Sequence, residues 1–299
     1  MTLEMVVGAG VFAAMLRLAA PILLAALGGV LSERAGVVNI ALEGSMLVGA
    51  FVGIVAAEQT DSIALGVLFA VLAGTALAGV HAFAAIQWRS DQIVSGMALN
   101  ILALGLTSYL NFQMYGTTGT PADVPDLPTV ADQSILVWAS LALVPVVHLF
   151  LFGTVAGLRL RAVGEHPRAA ETVGISVQRV RYAAVLASGA LAALGGAYLS
   201  LSVAHSFTDG MTAGRGFIGL AAVIFGKWSP VGALVAALIF GYGNALSTSL
   251  QGATIGDVRV PVQLLGTLPY LLTILAVAGF VGRSRPPAAD GIPYEKEGH

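Results

Sequence analysis

The stretch Gly28-Gly-Val-Leu-Ser-Glu-Arg-Ala-Gly-Val-Val-Asn-Ile-Ala-Leu-Glu-Gly-Ser-Met-Leu-Val-Gly-Ala-Phe-Val-Gly53 sets carboxylates, a guanidinium and an amide between two apolar runs. Asn39 and Glu43 are spaced i to i+4, so one helical face would present an amide and a carboxyl group just inside the second run. Ionisable groups at membrane depth are costly and face a bundle interior or an aqueous cavity. Two readings stay open. Glu43 touches a passing solute, or it satisfies nearby backbone amides or pairs with Arg34 and so locks the broken start of a helix. Gly49 and Gly53 form a GxxxG pair suited to close helix packing.

Outward from that stretch the chain is overwhelmingly apolar. Of 299 residues 57% are hydrophobic, 10% are charged and none is cysteine, and the mean hydropathy is +0.87. A soluble domain carries about a quarter of its residues as charges, so a water-soluble enzyme is excluded. The net charge of -2 offers no basic excess for nucleic acid. Without cysteine there is neither a disulfide framework nor a thiolate metal site.

Apolar runs fall near residues 5–31, 40–57, 62–87, 93–115, 134–152, 181–204, 216–226, 231–250 and 262–282. At about 20 residues per crossing, the expected fold is an all-α polytopic membrane protein with eight or nine transmembrane helices. The run 216–226 is too short to cross and is expected as half of a broken or re-entrant helix, which membrane depth permits only where protein or a water-filled cavity satisfies the backbone. The first run exceeds a signal-peptide core and has no basic residues before it, so it is expected as a retained span. Gly28-Gly29 recurs as Gly195-Gly196, a hint of internal duplication.

Basic residues near span ends concentrate on the cytoplasmic side. With the C-terminus inside, Arg34, Arg89, Arg159, Arg161, Arg168, Arg179, Arg181, Lys227, Arg283, Arg285 and Lys296 are cytoplasmic, while Arg215 and Arg259 face out: eleven against two. The loops at 58–61 and 117–134, acidic or neutral, are then extracytoplasmic, as is the N-terminus. On the inner side two polar segments interrupt the spans. Residues 159–181 carry a short surface helix, with Pro167 at its first position, Arg168 and Glu171 one turn apart, and Gly174 ending it. Residues 226–230 form a tight turn. The proline- and charge-rich tail 283–299 is expected to be disordered.

No enzyme signature survives inspection. Gly226-Lys227 lacks the glycine spacing and the Ser or Thr of a phosphate loop, and Gly174-Ile-Ser176 lacks the closing glycine of a nucleophile elbow. His81 and His148 stand singly, whereas a metal needs three or four convergent donors. No catalytic residue and no metal site are therefore expected. Asn100, Tyr109, Asn111, Gln113, Tyr242 and Asn244 can hydrogen-bond a polar solute or serve as packing groups, and the spacing does not choose.

Three separated motifs carry a resemblance: Ser32-Glu-Arg-Ala-Gly-Val-Val-Asn-Ile-Ala-Leu-Glu-Gly44; Ala162-Val-Gly-Glu-His-Pro-Arg-Ala-Ala-Glu-Thr-Val-Gly-Ile-Ser176; and Gly214-Arg-Gly-Phe-Ile-Gly-Leu-Ala-Ala-Val-Ile-Phe-Gly-Lys-Trp-Ser-Pro-Val-Gly-Ala233. Over nearly the whole chain they resemble the permease subunits of bacterial ABC importers for nucleosides and simple sugars, such as ribose, the first and third motifs favouring nucleosides. Ala41 and Lys227 depart from that pattern, which has glycine and another basic residue there. The resemblance implies a multi-pass permease domain over 1–282 in the bacterial inner membrane. It also implies an ABC ATPase subunit that holds ATP and magnesium, a second permease (different or identical), and an extracytoplasmic substrate-binding protein. This chain itself would carry no cofactor. Asn39, Glu43, Asn100 and Asn244 become candidates for the translocation path or its gating. Glu165, His166, Arg168, Glu171, Lys227 and Trp228 become candidates for coupling to the ATPase. An ion-driven carrier with Glu43 as proton carrier is the alternative class, and the charged segment 159–181 discriminates against it. A membrane-embedded enzyme lacks any paired carboxylate.

Overall fold

A computed structural model describes residues 8–117, 119, 124, 127–251, 254–255, 258–259, 263, 266–267 and 284–295. The spans are α1 (Ala9–Arg34), α2 (Leu42–Thr60), α3 (Ile63–Ala82), α4 (Gln92–Tyr115), α5 (Ile135–Gly153), α8 (Val177–Tyr198) and α10 (Pro230–Ser249). α3 continues through a π-turn over Phe83–Gln87, and α8 through another over Leu199–Ala204. Between them lie α6 (Val155–Glu165), α7 (Pro167–Thr172) and α9 (Arg215–Phe225). Two-residue strands pair as small antiparallel hairpins: β1 (Thr129–Val130) with β2 (Gln133–Ser134), and β3 (Thr254–Ile255) with β4 (Val258–Arg259).

Among the described residues, 7 helices are long and apolar enough to cross a membrane, and α9 is the short apolar helix expected from the run 216–226. The expected span at 262–282 and the acidic residues Asp123 and Asp126 lie outside the described residues. So do residue 283 and residues 296–299 of the tail.

Local chemistry sets the helix starts. Asp91 accepts from Ile93 N–H and Val94 N–H at 2.8 and 2.9 Å to open α4. Thr154 caps α6 through Gly157 N–H at 3.0 Å, and Ser229 with Pro230 at the first position opens α10. Pro167 occupies the corresponding place in α7, and Gly174, at φ 84°, follows its end.

α8 lies at the centre, packed against α1, α2 and α3, while α10 and α9 flank α1. Its polar start and glycine-rich middle let neighbours approach to backbone contact. A Cβ on Gly196 would sit 1.8 Å from Met46 O, and one on Gly49 would sit 2.5 Å from Ala193 O, so the α2–α8 crossing exists because both helices present glycine at the contact. Ile93, Met97, Ile101, Leu104 and Phe112 on α4 remain exposed, as suits a helix facing hydrocarbon.

One sequence expectation requires correction here. Residues 284–295 are not a disordered tail: Pro287 and Ala289 are buried, and Ala289 N–H donates to Gly164 O at 2.9 Å. Composition misleads because the ordering force, a buried guanidinium on α8, lies more than a hundred residues away in sequence.

Filling the α2–α8 contact should cost about 1–3 kcal/mol, the usual effect of overpacking. Gly196→Val is therefore expected to lower the thermal midpoint in detergent, whereas Gly105→Val, at a glycine with nothing within 4 Å, should leave it unchanged. Equal midpoints for the two variants would contradict this packing.

Candidate translocation and coupling sites

Between α1 and α2 the chain is unwound. Gly36, at φ 84°, turns it back, and residues 37–41, largely buried, run without helix before α2 begins, so side chains must replace the missing helical hydrogen bonds. Ser32 Oγ donates to Val37 O at 2.6 Å, and Gln92 Oε1 accepts from Val38 N–H at 2.7 Å. His81 Nε2 lies 3.0 Å from Val38 O, and its Nδ1 lies 3.1 Å from Ser95 Oγ. Asn39 Oδ1 accepts from Ala41 N–H at 3.1 Å while Nδ2 donates to Ser188 Oγ at 3.0 Å. Asn100 Nδ2 donates to Ile40 O at 3.0 Å, and its Oδ1 accepts from Gly44 N–H at 2.8 Å.

The expected shared face of Asn39 and Glu43 is thereby corrected. α2 starts at Leu42, so Asn39 belongs to the unwound segment and points to α8, while Glu43 lies in the first turn of α2 and points to α9. Glu43 Oε1 accepts from Thr212 Oγ1 at 2.6 Å and Gly214 N–H at 2.8 Å, and Oε2 accepts from Gly216 N–H at 2.7 Å. A carboxylate here meets the free amides and the positive end of α9 at once. Arg34 is not its partner, because Arg34 Nε donates to Trp228 O at 2.7 Å. Asn244, the fourth path candidate, donates from Nδ2 to Phe240 O at 3.0 Å within its own helix. The amides of Asn39, Asn100 and Asn244 thus bond to the protein itself.

At the basic end of the bundle, the last turn of α1 gathers the other elements. Glu33 accepts from Trp228 Nε1, and Trp228 is 5% exposed. The indole is thus a wedge against α1, and in the turn Lys227 is the exposed side chain. Both residues hold positive φ, 55° and 51°. Glu165, His166 and Arg168 are exposed on α6 and α7, whereas Glu171 is half-buried. Glu165 accepts from Ala288 N–H at 3.3 Å, and Glu171 accepts from the Tyr294 hydroxyl. His166, Pro167, Arg168 and Ala169 thereby share a cleft of about 650 Å³ with residues 292–295. Burial pushes the nearby Asp290 carboxyl up to about 7, against the opposing pull of Arg181 and of Gly291 N–H.

Toward the opposite end, a cavity of about 870 Å³ opens between α1, the α8 π-turn and α10. Arg17, Asp132, Tyr198, Ser202, Arg215 and Thr248 are among its lining residues. Arg215 Nη1 donates to Met211 O at 3.0 Å and Thr212 O at 3.1 Å. Sequence reasoning named His81 only as a lone histidine within a span and did not single out Gln92, Ser188 or Thr212 as supports of the unwound segments, although a polar residue inside an apolar run is the available signal. Among the described residues, no group of three or more His, Asp or Glu is placed to hold a metal. The arrangement stitches broken helices together, and the hydroxyl–imidazole contact it makes, Ser95 with His81, is spent on bonding Val38 O in the unwound segment.

The family model described as "Branched-chain amino acid transport system / permease component" matches residues 11–277. The chain is 42% identical to the guanosine ABC transporter permease protein NupQ of Bacillus subtilis, over 93% of this chain and 94% of that one. It is 37% identical to the nucleoside ABC transporter permease protein NupC of Lactococcus lactis, over 96% of each. It is also 37% identical to the putative glucose ABC transporter permease protein TsgC13 of Haloferax volcanii, over 92% of this chain and 93% of that one.

Glu43→Ala strips acceptors from two amides and a hydroxyl, each buried orphan costing about 1–3 kcal/mol, and should abolish folded protein in the membrane. Glu43→Gln keeps one acceptor oxygen and should retain part of the yield; size-exclusion profiles and uptake of both variants check this, and full function in Glu43→Ala would refute the bridge. Asp290 supplies a pH test. Its carboxyl titrates higher in the docked tail than in a free chain, so the docked state binds more protons. Its contribution is therefore greatest below about pH 4 and is lost as the pH rises through about 7. Hydrogen-exchange protection of residues 288–294, corrected for intrinsic rates, should fall between pH 6 and 8 in the native chain and stay level in Asp290→Asn.

Proposed function

The chain belongs to the permease-component family of branched-chain-type transport systems, and from that premise we propose that it forms the nucleoside path of an ATP-driven importer. Within such an importer it is a transport subunit and not an enzyme. Nucleosides are the solute class in this reading, and the observation that carries it is the 42% identity to a guanosine permease over nearly the full length of both chains. The Glu43 bridge supports it physically. A broken helix pair stitched at membrane depth gives a rigid unit that rocks as a whole, which suits alternating access around a polar uncharged solute.

In this reading the basic end is cytoplasmic, the N-terminus is outside, and the membrane is the bacterial inner membrane. An ATPase subunit holding ATP and magnesium meets α7 and the Lys227 turn. Glu165, His166, Arg168, Glu171 and Lys227 are the docking candidates, and Trp228 supports the turn from beneath. A second permease, most naturally a different chain, closes the path, and an extracytoplasmic binding protein delivers the solute. Asn39, Glu43, Asn100 and Asn244 shape the path by fixing its walls and do not grip the cargo. The cavity whose mostly apolar wall carries Arg17, Tyr198 and Ser202 is the vestibule through which solute enters.

A second reading, simple-sugar import, draws on the glucose permease among the relatives. The two separate cleanly. With its ATPase, second permease and binding protein in proteoliposomes, the chain should take up labelled guanosine only when ATP is supplied, and unlabelled nucleosides should compete while ribose and glucose should not. Competition by glucose or ribose alone would transfer the assignment to sugars, and uptake driven by an ion gradient without ATPase would sink both.

A further inference from the structure

Arg181 is 1% exposed at the start of α8. Its Nε donates to Ala35 O at 3.2 Å, Nη1 to Ile292 O at 3.0 Å and Nη2 to Ala289 O at 3.4 Å. Two of these three carbonyls belong to the C-terminal segment. A buried charge stripped of partners is strongly destabilising, so the guanidinium fixes where that segment sits. Ala289 is 6% exposed and donates to Gly164 O on α6. Further along, Tyr294 packs against Val163, Ala170 and Val177 beneath α7, and Glu295 pairs with Arg89 beyond α3 at 2.5 Å. The segment therefore crosses from α6 and α7, over the start of α8, to the α3–α4 connection. α7 has only 6 residues, too few to be stable as an isolated helix, and Tyr294 supplies part of the apolar floor that holds it.

We propose that residues 287–295 are a clasp that makes α7 rigid with the membrane core, so that a push on α7 passes through the clasp and Arg181 into the end of α1. The inference rests on the reading that an ATPase subunit docks at the basic face, and it adds that the C-terminal segment carries part of the load. The adjoining motif supports it. Ala35, which accepts from Arg181, lies in the same turn as Glu33 and Arg34, which hold the Trp228 loop. Both loops of the basic face therefore converge on one short stretch, and the clasp is what ties α7 to it.

The test uses the complete transporter in proteoliposomes. Truncation after Arg285 removes the clasp, and Ala289→Leu pushes it out of its socket while leaving every span intact. Both are expected to insert and to pair with the second permease, but to lose solute-stimulated ATP hydrolysis by about tenfold, the scale on which a coupling network responds to loss of its members. In the Ala289→Leu chain, Arg89→Cys and Glu295→Cys cross-linked by a short bismaleimide should hold the segment in place and restore at least part of that loss. A truncated chain that couples at the full-length rate overturns the proposal. So does a cross-linked chain that inserts normally and regains nothing, and this second arm decides if the truncated chain fails to insert. Failure of the unaltered chain to associate with an ATPase would instead overturn the functional reading on which the clasp rests.

Discussion

A peptide group inside hydrocarbon has no water to bond, and the architecture follows from that constraint. The chain leaves helical geometry between Arg34 and Leu42 and again between the α8 π-turn and Arg215, and at each break other parts of the protein must supply what the helix no longer does. Glu43 joins the two breaks, since it sits in the first turn of one resumed helix and accepts from the first amides of the other. His81, Gln92, Asn100 and Ser188 complete the first break from three neighbouring helices, α3, α4 and α8, the last by way of Asn39 within the break. These groups form a polar knot within an apolar bundle, satisfied by geometry and not by solvent.

Around the knot the helices pack by subtraction. Gly49, Gly74, Gly189 and Gly196 let α2, α3 and α8 meet backbone to backbone, which in a lipid environment replaces the hydrophobic drive a soluble core would use. Gly28 does the same between α1 and α8, where an added Cβ would lie 2.6 Å from Ser188 O. The serine whose carbonyl lies at this close crossing also receives the Asn39 amide. Close packing and polar satisfaction are therefore one problem solved at one place, and both hold the α1–α2 break rigid.

The spans were legible because apolar runs of membrane length have few other uses, and α7 was legible because Pro167 and Gly174 bracket it. Glu43 could be singled out from its position, but its partners could not: Thr212, Gly214 and Gly216 lie about 170 residues on, and spacing along one helix says nothing of another. The i to i+4 reading of Asn39 failed because Gly36 unwinds the segment, and periodicity presumes the helix it is meant to detect. The inward turn of the Trp228 indole was not legible either, because its acceptor, Glu33, lies 195 residues back on another helix. The tail misled for the same reason, since its order comes from Arg181 and not from its own composition.

The Glu43 bridge also bears on how the protein is made. Synthesis delivers Glu43 into the bilayer long before residue 212 exists, and Arg181 likewise waits for residues 289 and 292, some 110 positions later. Until those arrive, a carboxyl and a guanidinium sit in the nascent bundle without their final hydrogen bonds, a costly state for ionisable groups within spans. In the order of synthesis the polar stitches are therefore completed late, the Glu43 bridge by residues 212–216 and the Arg181 contacts last of all.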